Sequence, residues 1–128
     1  MRVLVFGTFD RLHPGHEFLI REAMKHGELH VVVARDATVE IIKGNAPEQS
    51  EEQRIAAIRS VFPEADVVLG DAADYLAPVR TIHPDLILLG YDQKLPPGVS
   101  VEDLSCPVER LPAYEPEKYK SSIRRHEA

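Results

Sequence analysis

Short apolar runs alternate with segments of helical patterning along this chain, and no other feature constrains the fold as strongly. The clearest runs are Val3 to Phe6, Leu29 to Ala34 and Leu86 to Leu89, and Ala65 to Leu69 and Val108 to Leu111 are two further predicted strands. Continuous apolar runs of this length are typical of strands that are buried on both faces of a parallel sheet. Strands that alternate with helices therefore predict an α/β fold with one doubly wound parallel sheet.

Helical patterning fills the segments between the predicted strands. The predicted helices run from Pro14 to Gly27, from Thr38 to Ile42, from Ser50 to Val61, from Tyr75 to Ile82 and, near the end of the chain, from Ser121 to His126. Ser50 and Gln53 have the spacing of a capping box, which favours a helix start at that point. Ile55, Ile58 and Val61 are expected to form the apolar side of that helix.

Composition narrows the classes of partner and compartment. A length of 128 residues fits one domain, and a net charge of −6 argues against nucleic acid as a partner. The single cysteine, Cys106, cannot form an intrachain disulfide, which favours a reducing compartment. No apolar run is long enough to span a membrane, so we expect a cytoplasmic protein without a membrane partner.

The segment from Gly7 to His16, with the sequence GTFDRLHPGH, follows the first predicted strand and enters the first predicted helix. Free backbone N–H groups and the helix dipole favour phosphate at such a position. His13 and His16 lie three residues apart, so both imidazoles can face one phosphate and stabilise charge that develops during phosphoryl transfer. The alternative is that the histidines cap the helix or bind a metal.

The GTFD and HPGH elements of this segment resemble the signature of the cytidylyltransferase-like nucleotidyltransferases. Lys120 to Arg125, with the sequence KSSIRR, is similar to the second signature of that superfamily. The resemblance implies one Rossmann-like domain over residues 1–128. Within the superfamily, the segments VARD, EEQR and LLGYDQ are most similar to archaeal-type FAD synthases, with glycerol-3-phosphate cytidylyltransferases as the second branch.

The resemblance also implies a reaction, in which a nucleoside monophosphate passes from a triphosphate to a phosphate monoester and pyrophosphate leaves. The expected substrates are ATP and FMN, with CTP and glycerol 3-phosphate as the alternative pair. Mg²⁺ or another divalent cation is expected to arrive with the triphosphate, and a homodimer is expected because family members are commonly dimers. A third possibility is a nucleotide-binding module that has lost catalysis.

The resemblance assigns roles to particular residues. The expected catalytic residues are His13, His16 and Lys43, and the expected nucleotide-binding residues are Gly7, Thr8, Phe9, His13, His16, Gly90, Asp92, Ser121, Ser122 and Arg125. Asp10 and Arg54 are expected to contact the second substrate.

Most of these assignments have an open alternative. The alternative for Lys43, which lies in a predicted loop, is a solvated lysine. The alternative for Asp10 is a helix cap, and the alternative for Arg54 is one half of a surface salt bridge. The alternative for Asp92 is an ordinary turn residue. For the segment that contains Ser121, Ser122 and Arg125, the alternative is a frayed tail. The isolated His30 and His83 are expected to be structural or surface groups.

Overall fold

Five parallel strands form one sheet in the computed structural model of the protein, which describes residues 1–91, 93–96 and 98–113. The strands are β1 (Arg2–Gly7), β2 (Glu28–Val33), β3 (Asp66–Leu69), β4 (Leu86–Leu89) and β5 (Val108–Arg110). The helices are α1 (Pro14–Met24), α2 (Asp36–Lys43), α3 (Glu51–Val61) and α4 (Ala77–Ile82), and a short 3₁₀ turn covers Val101–Asp103. The predicted α/β class and the parallel sheet are confirmed.

The strand order is β3-β2-β1-β4-β5, so the sheet grows outward from β1 in both directions. After β3 the chain returns to the middle and adds β4 beside β1. In doubly wound sheets this reversal leaves a crevice beyond the carboxyl ends of the two central strands, where ligands bind. The topology therefore places the segment after β1 beside the loop that follows β4.

The central strand is buried on both faces, as its apolar run predicts. Val3, Leu4 and Val5 have no exposed surface. Val3 and Val5 belong to the core cluster that Ile58 of α3 also joins, whereas Leu4 packs in a second cluster with Val79 of α4. The burial of a side chain such as Ile58 stabilises the fold by roughly 1.5–3 kcal/mol relative to an exposed position.

The predicted start of α3 is confirmed in its hydrogen bonds. Ser50 Oγ accepts from the Gln53 N–H, and the Gln53 side chain accepts from the Ser50 N–H, which completes the capping box. The apolar side of α3 differs from the prediction at its end, because Val61 is 45% exposed. Since the helix ends there, the next residue, Phe62, turns into the core and is buried instead.

Other boundaries differ from the sequence-based expectations by a few residues. The first helix ends at Met24, before the turn that contains Gly27, and α2 extends to Lys43, where Gly44 in the left-handed region (φ 81°) ends it. The last helix before β4 begins at Ala77 rather than at Tyr75. The predicted terminal helix, residues 121–126, lies outside the described residues. Within those residues, no helix is long and apolar enough to cross a membrane.

Candidate active site

A pocket of about 860 Å³ opens at the carboxyl ends of the central strands. Eight of the residues that the sequence singles out line it: Gly7, Thr8, Phe9, Asp10, His13, His16, Lys43 and Gly90. They come from the segment after β1, from α1, from the end of α2 and from the loop after β4. The sheet topology thus brings together residues that are far apart in sequence.

The rings of His13 and His16 stack, with their centroids 3.7 Å apart and their planes inclined by 22°. Both side chains line the pocket, so the predicted convergence of the two imidazoles is present. Gly15 makes this arrangement possible, because a Cβ at that position would lie 3.0 Å from Cε1 of His13. The two imidazoles therefore lie side by side in the pocket at the start of α1.

His13 is also the N-cap of α1, so the capping alternative is correct for this residue. Its Nδ1 accepts a hydrogen bond from the backbone N–H of Gly15 at 3.1 Å. An imidazole nitrogen that accepts a hydrogen bond carries no proton, so the neutral ring holds its proton on Nε2. Capping therefore orients the ring and leaves Nε2–H as a donor for a ligand oxygen.

His16 is held neutral by its surroundings. Burial, followed by electrostatic interactions with His13 and Lys43, lowers the pKa of His16 from about 6.5 to about 4. The ring of Phe9 packs against its edge, with the centroids 5.4 Å apart. Its Nδ1 is buried, and no residue within the described ranges forms a hydrogen bond with it.

Lys43 is the last residue of α2 and lies on the rim of the pocket. The side chain is exposed, and its charge contributes to the lowered pKa of both His16 and Asp10. The ammonium group therefore lies close enough to the histidine pair to attract a phosphate. Gly44 follows it directly with open space around its Cα, so the structure leaves room on this side of the rim.

The carboxylate of Asp10 joins the turn after β1 to the segment that precedes α3. Its two oxygens accept hydrogen bonds from the backbone N–H groups of Glu48 at 2.8 Å and of Gln49 at 3.0 Å. Burial raises the pKa of Asp10, but these two hydrogen bonds and the nearby Arg54 and Lys43 lower it by more, so the net shift is downward. Asp10 does not cap α1, since His13 holds the N-cap position.

Arg54 differs most from its expectation, because it was expected either to contact the second substrate or to form a surface salt bridge, and it is instead buried away from the pocket. The side chain has no exposed surface and lies among backbone carbonyls. Its guanidinium donates to the carbonyl oxygens of Thr8, Ala34 and Gln49, and it pairs with Asp36 at 2.7 Å. With its hydrogens directed to these acceptors, Arg54 does not reach into the pocket, and the expected substrate contact is not supported.

The loop after β4 forms the opposite wall of the pocket. The side-chain amide of Gln93 donates to the carbonyl of Phe6 and accepts from the N–H of Gly90, so it bridges the ends of β1 and β4. Arg110, on β5, donates from Nη1 to the carbonyls of Gly90 and Gln93 at 2.8 and 2.7 Å, and to that of Tyr91 at 3.3 Å. The roles of Gln93 and Arg110 were not predicted from the sequence.

Four of the expected nucleotide-binding residues lie outside the described residues. They are Asp92, Ser121, Ser122 and Arg125. Within the ranges that are described, no group of three or more histidine, cysteine or acidic side chains is arranged to hold a metal ion, so the metal alternative for the histidine pair has no support there.

The isolated histidines lie away from the pocket. His30 is buried between two carboxylates, with Nε2 2.6 Å from Glu28 Oε2 and Nδ1 3.1 Å from Asp66 Oδ2. His83 is the C-cap of α4. Burial, and then the charge of Asp85, raises the pKa of the Cys106 thiol.

Comparisons with known proteins give the same assignment as the motif. The cytidylyltransferase-like family profile matches residues 4–125. An FAD synthase from Methanosphaerula palustris is 40% identical in an alignment of 119 positions that covers 88% of this chain and 76% of that protein. An FAD synthase from Methanopyrus kandleri is 38% identical in an alignment of 133 positions that covers 96% of this chain and 87% of that protein.

A solved structure shares the architecture. The crystal structure of a lipopolysaccharide core biosynthesis protein from Thermoplasma volcanium superposes with a TM-score of 0.78 at 35% identity, and the match covers 90% of this chain and 98% of that one. The profile match spans nearly the whole chain and includes the histidine pair at the start of α1. The chain therefore belongs to the cytidylyltransferase-like family of nucleotidyltransferases.

Proposed function

We propose that this protein transfers the AMP group of ATP to FMN, which yields FAD and pyrophosphate. The observation that carries this proposal is the identity of 38–40% to FAD synthases across 88–96% of the chain. The pocket is consistent with this proposal, because His13, His16 and Lys43, to which the family resemblance assigns catalytic roles, all line it.

The lining of the pocket favours FMN over glycerol 3-phosphate as the acceptor. Alongside the polar motif, several aromatic and aliphatic side chains line the cavity, among them Phe6, Phe18, Tyr75, Tyr91 and Leu95. A flat isoalloxazine ring would cover such surfaces, whereas glycerol has no apolar group to place against them.

In the proposed reaction, an oxygen of the FMN phosphate attacks the α-phosphorus of ATP in line with the departing group. The new P–O bond forms as the bond between the α-phosphorus and the bridging oxygen breaks, and pyrophosphate leaves with the electron pair. No covalent intermediate with the protein is required. The task of the protein is to position the reactants and to stabilise charge on the phosphoryl oxygens.

The histidine pair supplies that stabilisation. His13 presents Nε2–H because its Nδ1 accepts from Gly15, and His16 is neutral at physiological pH because its pKa is about 4. The two stacked imidazoles act as hydrogen-bond donors toward oxygens whose charge grows in the transition state. Lys43 adds a positive charge beside them and neutralises the leaving pyrophosphate.

The other expected residues have roles that rest on the family resemblance. Thr8 is assigned to the phosphate oxygens, and Gly90 and Asp92 are assigned to the nucleoside. At the start of α1 the expected N–H donors are reduced, because Pro14 has no N–H and that of Gly15 binds Nδ1 of His13. Ser121, Ser122 and Arg125 bind the leaving phosphates. Asp10, expected near the second substrate, lines the pocket while its carboxylate is tied to the backbone of residues 48 and 49.

Among the described residues, no group of three or more histidine, cysteine or acidic side chains is arranged to hold a metal ion. We propose that Mg²⁺ enters as the Mg–ATP complex and that its charge offsets that of the phosphates. The protein groups named above act on that complex.

The compartment, the partners and the oligomeric state of the protein are part of the same proposal. We place it in the cytoplasm, because the one cysteine is consistent with a reducing compartment. The net charge of −6 argues against binding to nucleic acid. A homodimer is proposed on the family resemblance.

The decisive experiment measures pyrophosphate release with defined substrate pairs. The purified protein is mixed with Mg–ATP and FMN, and in parallel with Mg–CTP and glycerol 3-phosphate. Release with ATP and FMN, together with FAD detected by chromatography, supports the proposal. Release only with the cytidine pair identifies the alternative acceptor, and tight nucleotide binding without release from either pair identifies a binding module.

A further inference from the structure

The turn that follows β1 contains two non-glycine residues in the left-handed region, Phe9 with φ 54° and Arg11 with φ 56°. This conformation costs an L-residue about 1–2 kcal/mol. Such residues persist only where surrounding contacts determine their conformation. Asp10 lies between them and lines the pocket. The turn therefore depends on contacts from other parts of the chain.

One set of contacts comes from the segment before α3. The carboxylate of Asp10 accepts from the N–H groups of Glu48 and Gln49, and the N–H of Arg11 donates to the side-chain oxygen of Gln49 at 2.9 Å. Arg11 also pairs with Glu48 at 2.8 Å, although both side chains are exposed and this pair adds little. Residues 48 and 49 thus hold the outer side of the turn.

Arg54 holds the inner side. Its Nη1 donates to the carbonyl of Thr8 at 2.8 Å and to that of Ala34 at 2.7 Å, and its Nε donates to the carbonyl of Gln49 at 3.2 Å. One planar group therefore joins the turn after β1, the segment after β2 and the segment before α3. The carboxylate of Asp36, 2.7 Å from Nη2, balances its charge.

The contact with Thr8 has a direct consequence for the pocket. The described peptide bonds are all trans, so the carbonyl of Thr8 and the N–H of Phe9 point in opposite directions. Because Arg54 binds that carbonyl, the N–H of Phe9 is directed away from Arg54. A change in the Arg54 contact would rotate this peptide and shift the residues that lead to His13.

We propose that Arg54 is a positioning residue for nucleotidyl transfer, which holds the strained turn from Thr8 to Arg11 in its active conformation without touching the substrate. The side chain is fully buried and does not line the pocket, so its effect must pass through the turn. The proposal depends on nucleotidyl transfer but not on the identity of the acceptor.

The test compares Arg54→Lys with Arg59→Lys, a matched control on the same helix. Arg59 is exposed, donates to the carbonyl of Val67 and lies away from the pocket. Lysine keeps the charge but lacks the planar fork that reaches three carbonyls. For both variants we measure kcat and KM, the dissociation constant of Mg–ATP, and hydrogen exchange of the amides in residues 8–11, at a temperature where each variant is folded.

We expect kcat of Arg54→Lys to fall about 10- to 100-fold, since a displacement of about 1 Å in a site can cost that much. Hydrogen exchange in residues 8–11 should accelerate in this variant and remain unchanged in Arg59→Lys. Unchanged kcat and KM in folded Arg54→Lys, with lower stability alone, would show a purely structural role and overturn the proposal. A higher KM with unchanged exchange would indicate direct substrate contact and would also overturn it.

A second variant covers the case in which Arg54→Lys does not fold. Asp36→Asn keeps Arg54 and its three carbonyl contacts but removes the charge that orients the guanidinium. We expect a smaller loss of kcat in the same direction, with faster exchange in residues 8–11, and a variant that matches the wild type in both would contradict the proposal. If ATP and FMN support no turnover, hydrogen exchange and Mg–ATP binding still test Arg54 separately from the acceptor.

Discussion

Two arginines hold opposite sides of the pocket rim through hydrogen bonds to backbone carbonyls, but only one of them is buried. Arg54 lies beneath the turn after β1, has no exposed surface and pairs with Asp36. Arg110 lies at the outer edge of the loop after β4, is exposed and donates to three carbonyls of that loop.

The difference in burial changes what each arginine can do. Water can replace an exposed guanidinium at a carbonyl with little loss, whereas a buried carbonyl that loses its donor is left without a partner. We therefore expect the side of the pocket that carries the histidines to be rigid, and the side formed by residues 90–96 to adapt more easily. Phosphoryl transfer needs fixed donors, and they lie on the rigid side.

The largest expected effect on stability comes from Arg54→Met. This substitution leaves the carbonyls of Thr8 and Ala34 without their donor, whereas Asp36, whose side chain is 40% exposed, stays hydrated. The free energy of unfolding should therefore fall by roughly 2–4 kcal/mol, since each unsatisfied buried group costs about 1–3 kcal/mol. Urea denaturation followed by circular dichroism measures this change. Arg59→Met, on the exposed side of the same helix, serves as the control. A loss no larger than that of the control would mean that the buried arginine is not what makes this side rigid.

The next prediction tests whether the groups that stabilise the transition state lie on the rigid side of the pocket, which carries the histidines. His16→Ala removes one preorganised donor, so kcat should fall by roughly 100- to 1,000-fold. Because His16 lies at the pocket and not in the core cluster, the protein should still fold. His26→Ala, at an exposed position after α1, is the control and should keep full activity. A rise in KM with unchanged kcat would instead show that His16 binds the substrate and the transition state equally strongly.

The comparison between the two sides also explains what could be predicted from the sequence. The motif side was predictable in its main parts, because Gly7, His13 and His16 act within one strand–turn–helix unit whose geometry is local. The strand alternation predicted the parallel sheet, since buried strands leave a continuous apolar pattern. The ends of the helices were harder to predict from the sequence, because tertiary contacts decide whether α2 continues to Lys43.

The two arginine sites were not predictable, for a physical reason. Arg54 binds carbonyl oxygens of Thr8 and Ala34, and a backbone carbonyl leaves no trace in the sequence. Among the described residues, its side-chain partner is Asp36, which lies 18 positions away in the sequence and looks like an ordinary surface acid. Gln93 belongs to a segment that the resemblance emphasised, but its bridge between β1 and β4 depends on two strands becoming neighbours in space.

The pH dependence of stability gives a further test of the motif side. The pKa of His16 is about 4 in the folded protein and about 6.5 in the unfolded chain, so between these values the unfolded state binds more protons. The contribution of His16 to stability is therefore lost progressively as pH falls through this window. Denaturation of the wild type and of His16→Gln at about pH 7 and about pH 4.5 should show a smaller loss for the variant. Equal losses would show that His16 is not held neutral by the fold.

The smallest expected effect is that of Arg110→Lys on the opposite side. Since Arg110 is exposed and water can replace its contacts, the free energy of unfolding should fall by about 1 kcal/mol or less. The loop of residues 90–96 should loosen, so KM should rise a few-fold while kcat stays near the wild-type value, and steady-state kinetics separates the two. Arg54→Lys is the matched variant in which kcat should fall. If Arg110→Lys lowers kcat as strongly as Arg54→Lys does, residues 90–96 act as fixed parts of the catalytic site and the proposed asymmetry is wrong.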